Sequence, residues 1–258
     1  MINRAGDKST LVQRVRRLVR QRSARRDEGV YIVEGPKLVR EALEAGRSVE
    51  VVLVPESATD DQFVDELDQK GISWFEVSEQ IFSSLSSTRT PQPALAVLDE
   101  HLVSLADLTA TGGLLLVLAE VADPGNAGTL IRSAESFGAA GVVFAGGVDP
   151  FNPKVVRASA GSSFRLPIVC LPDPLETVQA LTENGYACWA AVPEEGIAPE
   201  EVPTDQPVAV VVGNEPRGLA AEVQAACGGQ LQIPTSGQAE SLNVAVAGSV
   251  ALYALSRR

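Results

Sequence analysis

Apolar positions set the frame of this chain. Residues 10–22 place Leu11, Val15, Leu18 and Val19 at helical spacing, with Arg14, Arg16, Arg17 and Arg20 on the other faces. The first segment is therefore predicted to be an amphipathic basic helix. The run YIVE (31–34) reads as a strand, and Gly35-Pro36 opens a helix through Ala45 whose stripe is Leu38, Val39, Ala42 and Leu43. Strand VEVVLV (49–54), a helix over 60–70, strand ISWFEV (72–77), a short helix to Leu85 and strand ALAVL (94–98) follow. This alternation predicts a small α/β domain over 24–98, preceded by a basic helix or arm, 1–23.

Residues 99–113, charged at first and then rich in Thr and Gly, read as a linker. Beyond it the texture changes. LLLVLAEV (114–121), GVVFAG (141–146), YACWAAV (186–192) and VAVVVG (208–213) are nearly continuous apolar runs, the mark of parallel strands covered on both faces. Helical segments fall between them at 127–138, 153–160, 174–184 and 218–226. A doubly wound parallel α/β sheet is predicted for 114–258, with ligands beyond the carboxyl ends of its strands. After a short strand ending at Pro234, the last helix begins near Ser241, the expected N-cap. Val244, Val246, Val250, Leu252 and Leu255, with alanines between them, cover all its sides, so it is expected to be buried. Asn243 in its first turn then needs partners.

A chain of 258 residues, 45% of them hydrophobic, can bury a sizeable core. No apolar run reaches the length of a membrane span, and the N-terminus lacks an apolar signal core. Cys170, Cys188 and Cys227 show no pair spacing and His101 is the only histidine, so neither a metal site nor a disulfide framework is expected. A reduced, cytoplasmic setting follows. The net charge of −12 disfavours nucleic acid until its distribution is considered. Residues 1–26 hold nine Arg and Lys against one acid, Asp7, while the remainder is strongly acidic. A basic arm on an acidic body points to phosphate contacts.

Three loops at strand ends carry the candidate chemistry. The first, Asp123-Pro124-Gly125-Asn126-Ala127-Gly128, begins with a turn signal and places Asn126 to cap the next helix. That helix packs through Leu130, Ile131, Ala134 and Phe137, which leaves Arg132 without a packing role. The second is Gly213-Asn214-Glu215-Pro216-Arg217-Gly218, whose glycines let backbone approach a ligand. The third runs from Ile233-Pro234 to Ser241-Leu242-Asn243. No G-x-G-x-x-G follows the first strand, which disfavours a nicotinamide dehydrogenase.

These loops, in this order and spacing, resemble the three motifs of the SpoU (TrmH-like) family of RNA 2′-O-methyltransferases, members of the knotted SPOUT superfamily. Asn126-x-Gly128-x-x-x-Arg132 is similar to the first motif and Gly213-Asn214-Glu215-x-x-Gly218 to the second. Ile233-Pro234 with Ser241-Leu242-Asn243-Val244 is similar to the third. Residues 24–98 resemble the family's N-terminal substrate-binding domain, of ribosomal-protein-like fold, best at GPKLVREAL.

The resemblance implies a deep trefoil knot, a homodimer, and S-adenosylmethionine as methyl donor. It implies that Gly213, Ile233 and Leu242 hold the adenosyl group by backbone, with Val212 and Pro234 beside them. Asn126, Arg132, Glu215, Ser241 and Asn243 become the catalytic set, in which Glu215, Ser241 and Asn243 position the donor and Arg132. An arginine stays protonated, its pKa being above ~12. A clamp on phosphate and developing alkoxide therefore suits Arg132 better than the role of base. Arg14, Arg17 and Arg20 of the arm, with Lys154, Arg157 and Arg165 after the second strand of the sheet, are the candidate RNA contacts. Ribosomal RNA stands ahead of transfer RNA as substrate. The alternatives are a non-catalytic RNA-binding relative, or methylation of a transfer RNA or a base ring atom.

Overall fold

A computed structural model describes residues 3–86, 88, 90–237 and 241–257. The chain divides into two compact units. The first comprises the chain up to His101 together with Phe151–Phe164, and the second comprises Leu102–Pro150 and the chain from Arg165 onward.

In the first unit α1 (Thr10–Arg20), α2 (Arg22–Glu28), β1 (Val30–Glu34), α3 (Pro36–Glu44), β2 (Val49–Pro55), α4 (Gln62–Gln69), β3 (Trp74–Val77), α5 (Glu79–Leu85) and β4 (Leu95–Asp99) follow one another. Among the described residues their strands form a four-stranded sheet in the order β1-β4-β2-β3, with only the β2–β3 pair parallel. Successive side chains on a strand point to opposite faces. Here both faces are covered, which is why VYIVE is buried throughout. Tyr31, Val33, Val52, Val54, Ala96 and Leu98 pack on one side against α3 and α4. Ile32, Leu53, Leu95 and Val97 pack on the other against Val12, Val15 and Leu18 of α1 and Phe82 and Leu85 of α5.

The basic segment is thus a docked helix and not a free arm. Its N-cap Ser9 accepts from the Val12 N–H, and Val12, Val15 and Leu18 are fully buried. Three of its arginines are committed within the unit. Arg14 pairs with Glu28 and Glu50, Arg17 with Glu28 and Arg16 with Asp7.

The second unit contains α6 (Leu105–Ala110), within the expected linker, then β5 (Leu115–Ala119), α7 (Pro124–Ser136) and β6 (Gly141–Ala145). Next comes α8 (Pro153–Ala158), expected in the C-terminal domain but packed in the first unit. The reason is aromatic and local. Phe151 and Phe164, which bracket α8, are buried with Tyr31 and Leu98, and Arg47 Nε donates to the Phe164 carbonyl at 2.6 Å. His101 Nε2 donates to the Ser163 carbonyl at 2.7 Å, and burial of its ring pushes its pKa down.

The chain continues with α9 (Ser162–Arg165), β7 (Ile168–Leu171), α10 (Pro174–Glu183), β8 (Ala187–Val192), β9 (Val208–Val212), α11 (Ala221–Ala226), β10 (Gly229–Gln232) and α12 (Val244–Ser256). The described strands of the second unit form a six-stranded sheet, β10-β8-β9-β5-β6-β7, in which each neighbouring pair is parallel. β7, with the sequence IVCL, went unread because four residues between helices give too short a pattern to register.

The last helix departs from expectation in two ways. Its N-cap is Asn243, whose Oδ1 accepts from Ala245 N at 2.9 Å and Val246 N at 3.3 Å, and not Ser241. It is also buried on one side only. Gly248 lets α12 close on α7 and β9, since a Cβ there would lie 2.5 Å from Leu130 and 3.3 Å from Val212. Val246, Val250 and Tyr253, at helical spacing on the other side, are 49%, 40% and 51% exposed.

Candidate functional site

The carboxyl ends of β5, β9 and β10 lead into the three loops picked out in the sequence. Glu215, from the loop after β9, reaches across to the loop after β5. Its carboxylate accepts from Ala122 N at 3.1 Å, Asp123 N at 3.0 Å and Asn126 Nδ2 at 3.0 Å. Burial alone would raise its pKa, but these donors, Asn126 foremost, outweigh burial and hold Glu215 below the ordinary carboxylate value. An ionised carboxylate only accepts, so Glu215 fits a ring of N–H groups.

Asn126 then passes the connection on. Its Oδ1 accepts from Asn243 Nδ2 at 3.1 Å, and Asn243 in turn caps α12. One polar chain, Glu215–Asn126–Asn243, ties together loops far apart in sequence. Asn126 does this from inside α7, because the N-cap is Asp123, whose side chain accepts from Asn126 N at 2.9 Å. The expected capping role of Asn126 is thereby corrected: a side chain bonded to Glu215 and Asn243 is not available to cap.

Between the loops after β8, β9 and β10 lies a cavity of about 430 Å³. Its apolar side includes Val212, Leu231, Ile233, Leu242 and Val244, and Glu215, Ser241 and Thr235 also line it. Of the residues expected to hold the adenosyl group, Val212, Gly213, Ile233 and Leu242 line this cavity and Pro234 does not. An apolar pocket with a few polar groups suits a nucleoside, whose ring needs burial and whose edges need backbone partners. Gly213 makes the loop possible. A Cβ there would come within 2.5 Å of Gly218 backbone, where Asn214 and Gly218 exchange hydrogen bonds of 3.1 and 2.8 Å.

Arg132 stands apart from this network. It is exposed on α7, about 9 Å along the axis from Asn126 at 1.5 Å per residue. Among the described residues its side chain has no ion pair or hydrogen bond, so Glu215 and Asn243 organise the loops and not the guanidinium. Of the candidate RNA contacts, Arg14, Arg17 and Arg165 are ion-paired, Arg165 to Glu135 of α7. Arg20 and Lys154 are exposed without a described partner, and Arg157 is half-buried.

Sequence reasoning missed Ala191, Val192 and Pro193, which line the cavity from the end of β8. Their signal was available, since residues just beyond a parallel strand beside β9 fall where such sheets bind ligands. It placed Asn214 in the second motif but gave it no role; Asn214 is 7% exposed and its Nδ2 donates to the Glu120 carbonyl at 3.0 Å.

Comparison with known proteins agrees with this geometry. Residues 113–253 match the SpoU rRNA Methylase family model, and residues 10–96 match the MRM3-like substrate binding domain. The chain is 35% identical to 23S rRNA (guanosine(2553)-2'-O)-methyltransferase RlmP of Bacillus subtilis over 87% of its own length and 88% of that protein. It superposes on the AdoMet-bound rRNA methyltransferase of Sinorhizobium meliloti with a TM-score of 0.85 at 28% identity, covering 98% of this chain and 97% of that one. The SpoU methyltransferase AviRb of Streptomyces viridochromogenes, solved with AdoMet, gives 0.86 at 27% identity over 97% and 98% of the two chains. With its C-terminal half and its N-terminal region both matched, the chain belongs to the SpoU rRNA methylase family.

Proposed function

We propose that this chain transfers a methyl group from S-adenosylmethionine to a ribose 2′-hydroxyl of ribosomal RNA, acting as a cytoplasmic homodimer. The observation that carries this reading is the joining of three loops by Glu215, Asn126 and Asn243, two of which, those after β9 and β10, line the cavity. Bound there, the donor supplies a sulfonium methyl group. Val212, Ile233 and Leu242, which line the cavity, would hold the adenosyl part by apolar contact, with backbone groups of the lining available to its polar edges. Glu215 fixes the 122–126 turn through its three hydrogen bonds, and Asn243 fixes the start of α12.

Arg132 is the residue that meets the target nucleotide. Its exposed guanidinium, without a partner among the described residues, clamps a phosphate of the target nucleotide and stabilises charge developing on the 2′-oxygen. The proton leaves to phosphate or water, because the guanidinium stays protonated. In-line placement supplies much of the remaining acceleration. The first unit binds the substrate RNA, and Arg20 and Lys154, exposed without a described partner, are its leading candidate contacts, with Arg157 on the same helix as Lys154; Arg14, Arg17 and Arg165 are already engaged by carboxylates.

The deep trefoil knot belongs to the same reading. It is supported by α12 packing on α7 and β9 while the segment leading into α12 lines the cavity. The homodimer is supported by Val246, Val250 and Tyr253, an apolar stripe left open on a helix that is otherwise apolar. No helix among the described residues is long and apolar enough to cross a membrane, and three free cysteines fit a reducing compartment.

Mapping ribose methylation on total RNA from a deletion strain and its parent tests the substrate. One ribosomal RNA position that loses its 2′-O-methyl group, and regains it on complementation, is the expected outcome. Loss confined to transfer RNA, or to a base methyl group, would overturn the assignment.

A further inference from the structure

The cavity has one acidic and one basic side chain in its described lining. The acid is Glu215, already committed to three donors of the neighbouring loop. The base is Arg217, at a position the second motif leaves open. S-adenosylmethionine carries a single carboxylate, at the amino-acid end, and the apolar floor of Val212, Ile233 and Leu242 offers that charge nothing. We propose that Arg217 binds the carboxylate of the methyl donor and makes this enzyme select for the intact amino-acid end. This rests on the reading of the cavity as the donor site.

The loop is built to present this side chain. Asn214 and Gly218 close it by two backbone hydrogen bonds, so its tip is Glu215-Pro216-Arg217. Proline fixes φ just before Arg217. Asn214, anchored on the Glu120 carbonyl, accepts from Arg217 N at 3.3 Å and Nε at 3.4 Å. The backbone at Arg217 is held while the end of its side chain is held only loosely. Its ion pair with Glu120 spans 3.4 Å, with the two side chains 71% and 53% exposed. Such a pair contributes little, so the guanidinium can exchange Glu120 for a carboxylate within the cavity at small cost. A guanidinium meets a carboxylate with two parallel N–H donors, and the amide of glutamine cannot reproduce that.

Decarboxylated S-adenosylmethionine isolates the interaction, since it keeps the nucleoside, the sulfonium and the ammonium and lacks only the carboxylate. Calorimetric titration of the full chain with both ligands, in the wild type and in Arg217→Gln and Arg217→Lys, is the test. The wild type is expected to prefer S-adenosylmethionine roughly tenfold, as for a charge-assisted hydrogen bond at a partly exposed site. Arg217→Gln should bind both ligands alike, at the wild-type affinity for the decarboxylated one, and Arg217→Lys should keep part of the preference. The position is exposed, so unchanged thermal unfolding of the unliganded variants is expected as well. Equal affinities in the wild type, or an undiminished preference in Arg217→Gln, would overturn the assignment and leave Arg217 to solvent or RNA. If neither ligand binds the wild type, the donor site itself is misplaced, an outcome distinct from the other two.

Discussion

The helices nearest the two ends of the chain, α1 and α12, invite opposite readings from sequence, and each turns out close to the other's expectation. α1 is strongly basic, yet it seals one face of a sheet with Val12, Val15 and Leu18, and Arg14, Arg16 and Arg17 serve carboxylates of its own unit. α12 is apolar nearly all round, yet Val246, Val250 and Tyr253 remain open to solvent. A pattern of side chains therefore states what a helix can offer, and the neighbours decide what is used. Charges already matched by nearby acids are structural. An unmatched charge such as Arg132, or an uncovered apolar stripe, is what remains for partners.

The largest effect expected from this contrast is at Arg132. Arg132→Ala should lower the rate of methyl transfer a hundred- to thousandfold, about 3–4 kcal/mol, with donor affinity within a few-fold of wild type. Single-turnover kinetics at saturating RNA checks this, and near-normal turnover would return Arg132 to the surface charges. Next comes the docked face of α1. Leu18→Ala should destabilise the folded chain by about 3 kcal/mol, measured by urea unfolding, whereas Val250→Ala should change the stability of a single copy by less than about 1 kcal/mol.

A smaller effect separates the open stripe from an ordinary surface. Val250→Ala with Tyr253→Ala should weaken self-association about tenfold or more, as for loss of buried anchors, by sedimentation across a range of concentrations. A wild type that stays monomeric at micromolar concentration with full activity would remove the dimer from the account. The smallest effect concerns the cations of α1. Replacing Arg14, Arg16, Arg17 and Arg20 by Gln should change the slope of log RNA affinity against log salt by about 0.7–0.9. That is the effect of one phosphate contact, because Arg20 alone of the four lacks a described partner. A change of about 2 or more would mean that RNA recruits the paired arginines as well.

Much of the architecture was legible because its signals are local. Apolar runs marked β5, β6, β8 and β9, and the order of motifs identified the three loops that Glu215, Asn126 and Asn243 join, two of which line the cavity. What escaped depends on neighbours. α8 reads as one more helix of the parallel sheet until Phe151 and Phe164 are seen in the first unit's core. Asn126 reads as a cap because its competing partners, Glu215 and Asn243, lie 89 and 117 residues away in sequence. Arg217 falls between motif positions, and only its place in the cavity lining points to the role proposed for it.

The central claim is that the three joined loops form a ribose methyltransferase site. Its most direct test incubates the purified chain with ribosomal RNA and radiolabelled S-adenosylmethionine, then digests the product with a nuclease that needs a free 2′-hydroxyl. The account predicts label confined to one nuclease-resistant dinucleotide in the wild type and none with Arg132→Ala. Label recovered on a free base, or absent although the donor binds, would contradict it.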